Sequence, residues 1–374
     1  MKILHCADLH LDSRLETNLS IEKAKKRRNE ILNKFAELVE YANENEIMHI
    51  IIAGDLFDRD NVSTKVQNVV IGNITKYPNI QFYYLRGNHD SNNFINSMDE
   101  VPGNLHVFED EWKTYYIESE MSDRFKVAVT GVELNRDNKN KIYSSLNLNG
   151  EDFNIVVLHG QENEYKSKNR AEVISLSDLR NQNIDYLALG HVHKYERAEL
   201  DARGIYCYPG CLEGRGFDEL GVHGFVVLDI NENTKELKDD FIPFSTRCLY
   251  EVEVNISDCM TTLEILEKIE NELSQIECTR QDMLKIVLTG EVDVNIEKSV
   301  SYMLTNLEQK YFFVKIYDKS TFAVDIKDYA GDVSLKGEFV RLVSSLDNVD
   351  EEKKAAIIRC GIKALDGEEI DKCV

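Results

Sequence analysis

The sequence predicts an α/β protein in which layered β-sheets carry helices on their faces and a smaller α/β domain follows. Short apolar runs typical of strands alternate with longer runs in which apolar residues recur at helical spacing. In addition, five of the apolar runs stop abruptly at Asp, Asn or His, several of them beside a glycine. The alternation predicts the layers, and the polar strand ends point to where a site would form.

The alternation is clearest in the first 195 residues. Strands are predicted at 3–7, 48–53, 80–85, 127–132, 155–158 and 186–189, where apolar and β-favouring residues are continuous. A helix is predicted over 25–45, because Ile31, Phe35, Leu38 and Ala42 share one face, and a second helix over 62–77.

A second unit begins near Leu249, after a β-rich stretch at 195–250. Its order of strand, helix, strand, helix and strand predicts a small βαβαβ-like domain. A polar linker follows Asp325, and two short amphipathic helices are predicted at 338–346 and 350–365. We therefore expect a main domain at 1–248, an accessory capping domain at 249–325, and a linker with terminal helices at 326–374.

The composition is that of a soluble globular protein, with 43% hydrophobic and 30% charged residues. No run approaches the roughly 20 apolar residues that span a bilayer, and the N-terminus turns polar too early for a signal peptide. We expect a cytoplasmic protein without a membrane segment. The eight cysteines form no CxxC pair, which favours reduced structural thiols.

The net charge of −23 argues against a general affinity for nucleic acid, and both sides of a split after Tyr250 are acidic. One basic cluster, residues 23–28 (KAKKRR), stands out. It is either the solvated start of a helix or a surface that contacts DNA.

Polar side chains at the strand ends form an ordered set. Its members are Asp8 and His10, Asp55 and Asp58, Asn88, His89 and Asp90, His159, and His191 and His193. Gly and Asn are common in turns, so each motif alone is also explained as a turn. In open α/β sheets, however, ligands bind beyond the carboxyl ends of strands. The set is therefore expected to converge in space.

The chemistry of this set favours a metal centre. Carboxylates, imidazoles and an amide oxygen suit Mn, Fe or Zn better than a soft metal. A shared carboxylate can bridge two cations about 3.5–4 Å apart, a geometry that serves in-line displacement at phosphorus. We therefore expect two divalent metal ions, and the donor types by themselves leave Mn, Fe and Zn open.

The ordered motifs D-x-H, G-D-x-x-D, G-N-H-D, a solitary His and G-H-x-H resemble those of the calcineurin-like metallophosphoesterases. More narrowly, the segments ILHCADLHLD, IAGDLFDRD, LRGNHDS and LALGHVHKYE resemble the SbcD-type DNA repair exonucleases. The motifs lie in residues 1–245. The layout of the remainder is similar as well, without motifs of comparable strength.

The resemblance implies a role for each matching residue. One metal would be held by Asp8, His10, Asp55 and His193, and the other by Asp55, Asn88, His159 and His191. His89 would face the scissile phosphate as a catalytic group, with Asp90 orienting it.

Four further residues are substrate-binding candidates: Arg14, Asp58, Arg59 and Arg86. Some relatives have a His where this chain has Asp58, so a DNA contact made there would weaken or shift to a neighbour such as Arg59. The alternative is that Asp58 only braces its loop. His5, His49, His106 and His223 match no motif and are expected to be structural.

The resemblance implies a DNA exonuclease or endonuclease subunit acting in repair with an SbcC-like, SMC-type ATPase. The terminal helices would dock on that partner, or else pack only on this chain. A homodimer within a heterotetramer is implied as well. A phosphatase or small-molecule phosphodiesterase that acts on a protein or nucleotide is the alternative, because the same metal core serves several reactions.

Overall fold

The structure is a computed structural model that describes residues 1–15, 19–59, 61–90, 93–98, 100–119, 125–138, 141–162, 173–293, 296–322, 332–346 and 349–365. The chain divides into two compact units, Met1–Cys248 and Leu249–Val374. Residues 326–331 of the predicted linker and the chain after residue 365 lie outside the described residues. The boundary at residue 325, between the capping domain and the segment with the terminal helices, stays a prediction.

The first sheet of unit 1 has six strands in the order β14-β13-β1-β2-β3-β4. Strands β1 to β4 are parallel, and β13 pairs antiparallel with β1. The strands are β1 (Lys2–Cys6), β2 (His49–Ala53), β3 (Gln81–Leu85), β4 (Leu105–Val107), β13 (Gly224–Ile230) and β14 (Leu237–Pro243).

The second sheet of unit 1 also has six strands, in the order β11-β12-β10-β7-β6-β5. Its four central strands are parallel and its two edge strands are antiparallel. The strands are β5 (Lys113–Glu118), β6 (Lys126–Gly131), β7 (Phe153–His159), β10 (Tyr186–Gly190), β11 (Glu196–Glu199) and β12 (Ile205–Tyr208), and a short separate pair is formed by β8 (Gln161–Glu162) and β9 (Val173–Ile174).

Alternation of side chains across each strand explains the layers of unit 1. In β2, Ile51 and Ala53 face the second sheet and share a core with Val129 and Val157. The neighbouring residues Ile50 and Ile52 face the helices instead. Because both faces are covered, the central strands are continuous apolar runs, as parallel sheets require. The predicted layered α/β fold is confirmed.

The helices of unit 1 are α1 (Ile21–Glu44), α2 (Thr64–Lys76), the short α3 (Asn93–Asn96) and α4 (Leu176–Leu179). Helix α1 begins earlier than its apolar stripe indicates, because the Ser20 hydroxyl caps the amide of Lys23 at 3.3 Å. Within the described part of the chain, no helix is both long and apolar enough to cross a bilayer.

Unit 2 contains a parallel sheet in the order β15-β16-β18, with helices that pack on its apolar face. Its elements are β15 (Leu249–Asn255), α5 (Thr262–Ser274), β16 (Met283–Thr289), β17 (Glu291–Val292), α6 (Val300–Glu308), β18 (Phe313–Asp318) and β19 (Thr321–Phe322). The βαβαβ order predicted from sequence is present.

The two terminal helices, α7 (Leu335–Ser344) and α8 (Glu351–Leu365), pack against each other. Val340 and Val343 bury against Ile358 and Ile362. The apolar stripe predicted on α7 is therefore only partly buried, since Leu342 is 64% exposed. The valines hold the helix pair together, and the leucine faces outward.

Candidate metal centre

The carboxyl ends of β1, β2, β3, β7 and β10 bring the predicted residues to one edge of unit 1. The two sheets share a core, so strand ends from both sheets meet there. Main-chain bonds tie the loops together: the amide of Asp8 donates to Gly54 O and that of His10 to Asp55 O, each at 3.0 Å. The convergence that the motifs predicted is present.

The backbone at this edge is strained. Asp8, His10, Asp55 and His191 all have positive φ, between 45° and 101°. This region is rare for residues other than glycine and costs about 1–3 kcal/mol each. Four of the seven predicted ligands are held this way, which is typical of a site whose side chains must point in fixed directions.

Asp8, His10 and His193 form the first group of potential ligands, and their donor atoms lie within 4.8 Å of one another. The Nε2 atoms of His10 and His193 face each other at 3.0 Å. The main-chain amide of His191 donates to both carboxylate oxygens of Asp8 at 2.9 Å and fixes that carboxylate.

Asp55, His159 and His191 form the second group, also within 4.8 Å, and Asn88 joins them. The Asn88 Oδ1 atom lies 3.1 Å from His159 Nε2 and 3.2 Å from His191 Nδ1. The opposite nitrogen of His159, Nδ1, lies 2.9 Å from Ala53 O, which fixes the ring.

Asp55 lies between the two groups. Its Oδ2 is 3.3 Å from His159 Nε2 in the second group and 3.8 Å from His10 Nε2 in the first. Its Oδ1 accepts from the main-chain amide of His89 at 2.9 Å. One oxygen is therefore anchored and the other faces both groups, which is the position of a bridging ligand.

The buried charges of the centre act strongly on one another. Burial disfavours a charged imidazole, but the carboxylate of Asp55 outweighs it and raises the pKa of His159 to about 10. Burial works against the Asp55 carboxylate too, yet His159 holds the pKa of Asp55 well below its usual range. At His191, burial and then the charge of His159 outweigh the opposing effect of Asp55 and lower the pKa to about 4.

The donor set fits a pair of divalent cations. It offers carboxylate, imidazole and amide oxygen donors, as Mn, Fe and Zn sites do, and contains no thiol. The Nε2 atoms of His10 and His193 face each other. A cation bound by both nitrogens would take the place of a proton shared between them. Bound cations would also compensate the buried carboxylates of Asp8 and Asp55. The ligand atoms alone do not determine which of these metals is bound.

A glycine keeps the strand ends close enough for this arrangement. A Cβ on Gly190 would lie 1.9 Å from Ala53 O and 2.8 Å from His159 Nδ1. Both atoms belong to the contact that orients His159. Glycine is therefore required at this position by the close approach of β10 to β2.

His89 lies on the open side of the centre and is exposed. Its ring centroid is 5.1 Å from that of His10, and its Nδ1 faces the main-chain oxygen of Asp58 at 3.3 Å. His89, His10 and Asp58 also offer donor atoms within 4.8 Å. His89 thus borders the two ligand groups without belonging to either.

Asp90 has partners other than the predicted one. Its carboxylate accepts from the main-chain amides of Leu56, Phe57 and Gly87 at 2.8–3.2 Å. Burial and then the charge of Asp55 raise the pKa of Asp90 to about 7. These bonds join the two loops that carry Asp55 and Asn88, so Asp90 braces the loops, whereas the ring of His89 faces Asp58 O.

The four predicted substrate-binding residues have protein partners. Arg86 pairs with Glu133, whose Oε2 is 2.8 Å from Nη2, and Arg59 donates through Nε to Asp12 O at 3.1 Å. The carbonyl of Arg14 accepts from Arg28, and the Arg14 side chain is exposed. The Asp58 carboxylate lies 3.3 Å from His10 Nδ1. Of the arginines, Arg14 lies furthest toward solvent.

Two residues near the centre were not predicted: Arg215 and Glu219. Glu219 Oε1 lies 2.6 Å from His193 Nδ1, and Arg215 bonds to both Glu219 and Asp58. The segment GRGFDE gives a weak sequence signal for this pair, because a Glu follows four residues after an Arg that lies between two glycines. Nothing in that spacing shows that they lie behind His193.

Comparison with known proteins identifies the main unit. The family model described as calcineurin-like phosphoesterase matches residues 1–195. An uncharacterized metallophosphoesterase, YhaO of Bacillus subtilis, is 22% identical over 284 residues, which cover 74% of this chain and 68% of the relative.

Other relatives extend beyond that region. The DNA double-strand break repair protein Mre11 of Sulfolobus acidocaldarius is 22% identical over 389 residues, covering 95% of this chain and 96% of the relative. The protein of the same name from Aeropyrum pernix is 25% identical and covers 80% and 74%. The crystal structure of a dimetal phosphatase from Danio rerio is 12% identical, with a TM-score of 0.39, covering 66% of this chain and 99% of that one.

Proposed function

Because the chain belongs to the calcineurin-like phosphoesterase family, we propose that it is a metal-dependent DNA nuclease of the SbcD type. The observation that carries the proposal is the pair of ligand groups that share Asp55 at the strand ends. Relatives named for DNA double-strand break repair align over nearly the whole chain, and therefore also over unit 2. That coverage favours DNA over a small phosphoester as the substrate.

The metal ligands in this proposal are those that the resemblance implied. Asp8, His10 and His193 would hold one ion, Asn88, His159 and His191 would hold the other, and Asp55 would be shared by both. When bound, two divalent ions, Mn²⁺ by preference, neutralise charge on the phosphate and activate water for attack.

His89 acts on the phosphate side of the centre. An Nδ1 proton donated to Asp58 O would fix the ring and leave Nε2 for the substrate. The anchored amide of His89 keeps the imidazole over the ligand groups. From this position Nε2 stabilises the developing charge or gives a proton to the leaving oxygen. Asp90 contributes by bracing the loops that carry Asp55 and Asn88.

The basic cluster at 23–28 supports a DNA contact beside the centre. The cluster forms the first turns of α1. Arg28 in this cluster donates to the main-chain carbonyl of Arg14, and Arg14 follows His10 by four residues. Arg27 is not part of this surface, since it is buried and paired with Glu213 at 3.0 Å. The remaining side chains supply a local positive surface on an acidic protein, suited to the phosphate backbone.

We propose that α7 and α8 dock on an SbcC-like ATPase. Their shared core leaves Leu335 and Leu342 at 71% and 64% exposure, and exposed leucines on a helix suit a groove or coiled-coil base. Co-purification should be lost on deletion of residues 331–374, with metal binding retained. A complex that survives the deletion would contradict this assignment. In this proposal the chain works in the cytoplasm, as a homodimer within a heterotetramer.

Cleavage of end-labelled linear duplex DNA with Mn²⁺ tests the main proposal. His89→Leu should abolish cleavage while bound manganese, measured by mass spectrometry, stays at the wild-type level. Loss of metal in the variant would contradict the division between ligands and His89.

The alternative is a phosphatase or small-molecule phosphodiesterase, and the net charge of −23 favours it. It predicts fast turnover of an aryl phosphate and no cleavage of DNA, with or without the ATPase partner. Cleavage of DNA would exclude this alternative.

A further inference from the structure

Arg215 joins two carboxylates behind the first ligand group. Its Nη1 donates to Asp58 Oδ1 at 2.7 Å, and its Nη2 and Nε donate to Glu219 Oε1 at 2.9 and 3.2 Å. The main-chain amide of Arg215 also donates to Glu219 Oε2 at 2.7 Å. All three guanidinium nitrogens are thus engaged with carboxylates, and the side chain is 20% exposed.

Each of these carboxylates stands behind one histidine. Asp58 Oδ1 lies 3.3 Å from His10 Nδ1, near enough for an ion pair but outside hydrogen-bond geometry, and Glu219 Oε1 is hydrogen-bonded to His193 Nδ1 at 2.6 Å. With both Nδ1 atoms turned to carboxylates, both Nε2 atoms face forward and meet at 3.0 Å. A carboxylate behind a metal-binding imidazole fixes its tautomer and raises its basicity.

The second ligand group has a different arrangement. His159 is oriented by the main-chain oxygen of Ala53, which is part of β2 and carries no net charge. Arg215 also contacts His193 of the first group directly, at 3.3 Å from Nη2 to Nδ1. The guanidinium is therefore connected with the first group and not, through these bonds, with the second.

We infer that Arg215 is a positioning residue for the first metal subsite, where it holds Asp58 and Glu219 against His10 and His193. This inference rests on the proposed metal centre. A guanidinium suits the task because its planar fork fixes two carboxylates at once, which a lysine ammonium does not. Asp58 thereby acquires a role behind His10, in place of the DNA contact considered for that position.

The two subsites should consequently respond differently to loss of Arg215. Without the guanidinium, the buried carboxylate of Glu219 and the half-buried carboxylate of Asp58 lose the charge that holds them together. The two imidazoles in front of them are then no longer held in place. Residues behind metal ligands typically contribute about 10–100-fold to metal affinity. The first ion should weaken by that factor, and the second ion should keep its wild-type affinity.

Titration of the metal-free full-length chain with Mn²⁺, followed by electron paramagnetic resonance, tests this inference. Arg215→Met should convert binding of two ions with similar affinity into binding of one tight and one weak ion, and the spin-coupled dinuclear signal should fall accordingly. In Arg215→Lys, the affinity for the first ion should lie between those of Arg215→Met and the wild type. Arg197→Met is the matched control, because Arg197 forks Asp239 in the same unit.

Several outcomes would overturn the inference. Two tight ions in Arg215→Met would show that Arg215 positions neither histidine, and equal weakening of both would refute its selectivity for the first subsite. If Arg215→Met does not fold by circular dichroism, Glu219→Gln tests the same prediction through His193 alone. Failure of the wild type to bind any Mn²⁺ would instead count against the proposed metal centre itself.

Discussion

Histidines lie at both ends of the parallel strands in unit 1, and their surroundings differ. At the carboxyl ends, His10 and His159 are buried and face carboxylates and other donor atoms. At the amino ends, His49 Nδ1 faces the hydroxyl of Tyr83 at 3.2 Å, and His106 Nε2 faces the amide oxygen of Gln81 at 2.9 Å. The rings of Tyr83 and His106 stack with centroids 5.1 Å apart.

The difference separates the candidate ligand histidines from the histidines that are expected to be structural. At the amino ends each ring has a neutral hydrogen-bond partner and an aromatic neighbour, and neither contact calls for a cation. At the carboxyl ends several acceptor atoms converge and the main chain is strained. Residue type is the same at both ends; charge and convergence decide the role.

The largest effect is expected from Asp55→Asn. The substitution keeps the shape of the side chain but removes the charge that both ligand groups share. Affinity for both ions should fall by more than about 100-fold, the upper end for residues that only support a ligand. Equilibrium dialysis against Mn²⁺ measures this effect. Asp239→Asn, at the distant pair with Arg197, is the control, and unchanged binding in Asp55→Asn would exclude a bridging role.

A matched pair of histidine substitutions separates the two ends directly. His191→Ala should weaken one of the two ions by at least about tenfold, because it removes a donor from the second group. His106→Ala should leave both affinities unchanged, since its ring bonds to the amide oxygen of Gln81 and stacks on Tyr83 at the amino ends of the strands. The same dialysis serves for both variants. Equal metal binding by the two variants would remove the distinction between the ends.

A smaller effect concerns pH. Burial, followed by the proximity of His106, lowers the pKa of His49 to about 4, so the folded protein disfavours the charged ring. This stability contribution is complete above the unfolded pKa of about 6.5 and is lost as pH falls toward 4. From pH 7.5 to pH 5 the loss is about 2 kcal/mol.

His49→Gln removes that loss. The unfolding free energy of the variant minus that of the wild type should therefore be about 2 kcal/mol larger at pH 5 than at pH 7.5. Urea denaturation of the metal-free protein at the two pH values measures the difference. Parallel pH dependence in the two proteins would show that His49 does not titrate on unfolding.

The terminal helices show how far a helical pattern can be interpreted. Amphipathic spacing predicted helices at 338–346 and 350–365, and both are present with shifted bounds. The pattern did not reveal which apolar residues would pair within the chain. Val343 is buried against α8 while the adjacent Leu342 faces solvent, because successive residues of a helix point about 100° apart and only one of the two can face the partner helix.

The sequence by itself determined the layered α/β fold, through apolar runs that must be buried on both faces, and the polar residues at the strand ends. Parallel strands carry their carboxyl ends to one edge, so residues far apart in the chain were predicted to meet there. Only the tertiary structure decided which groups stand behind the ligands. Arg215 reaches Asp58 across 157 positions of sequence, and Asp90 bonds to loop amides beside Asp55. Such contacts depend on side-chain direction and loop path, which local spacing does not encode, whereas the burial of the strands follows from the pattern of apolar residues.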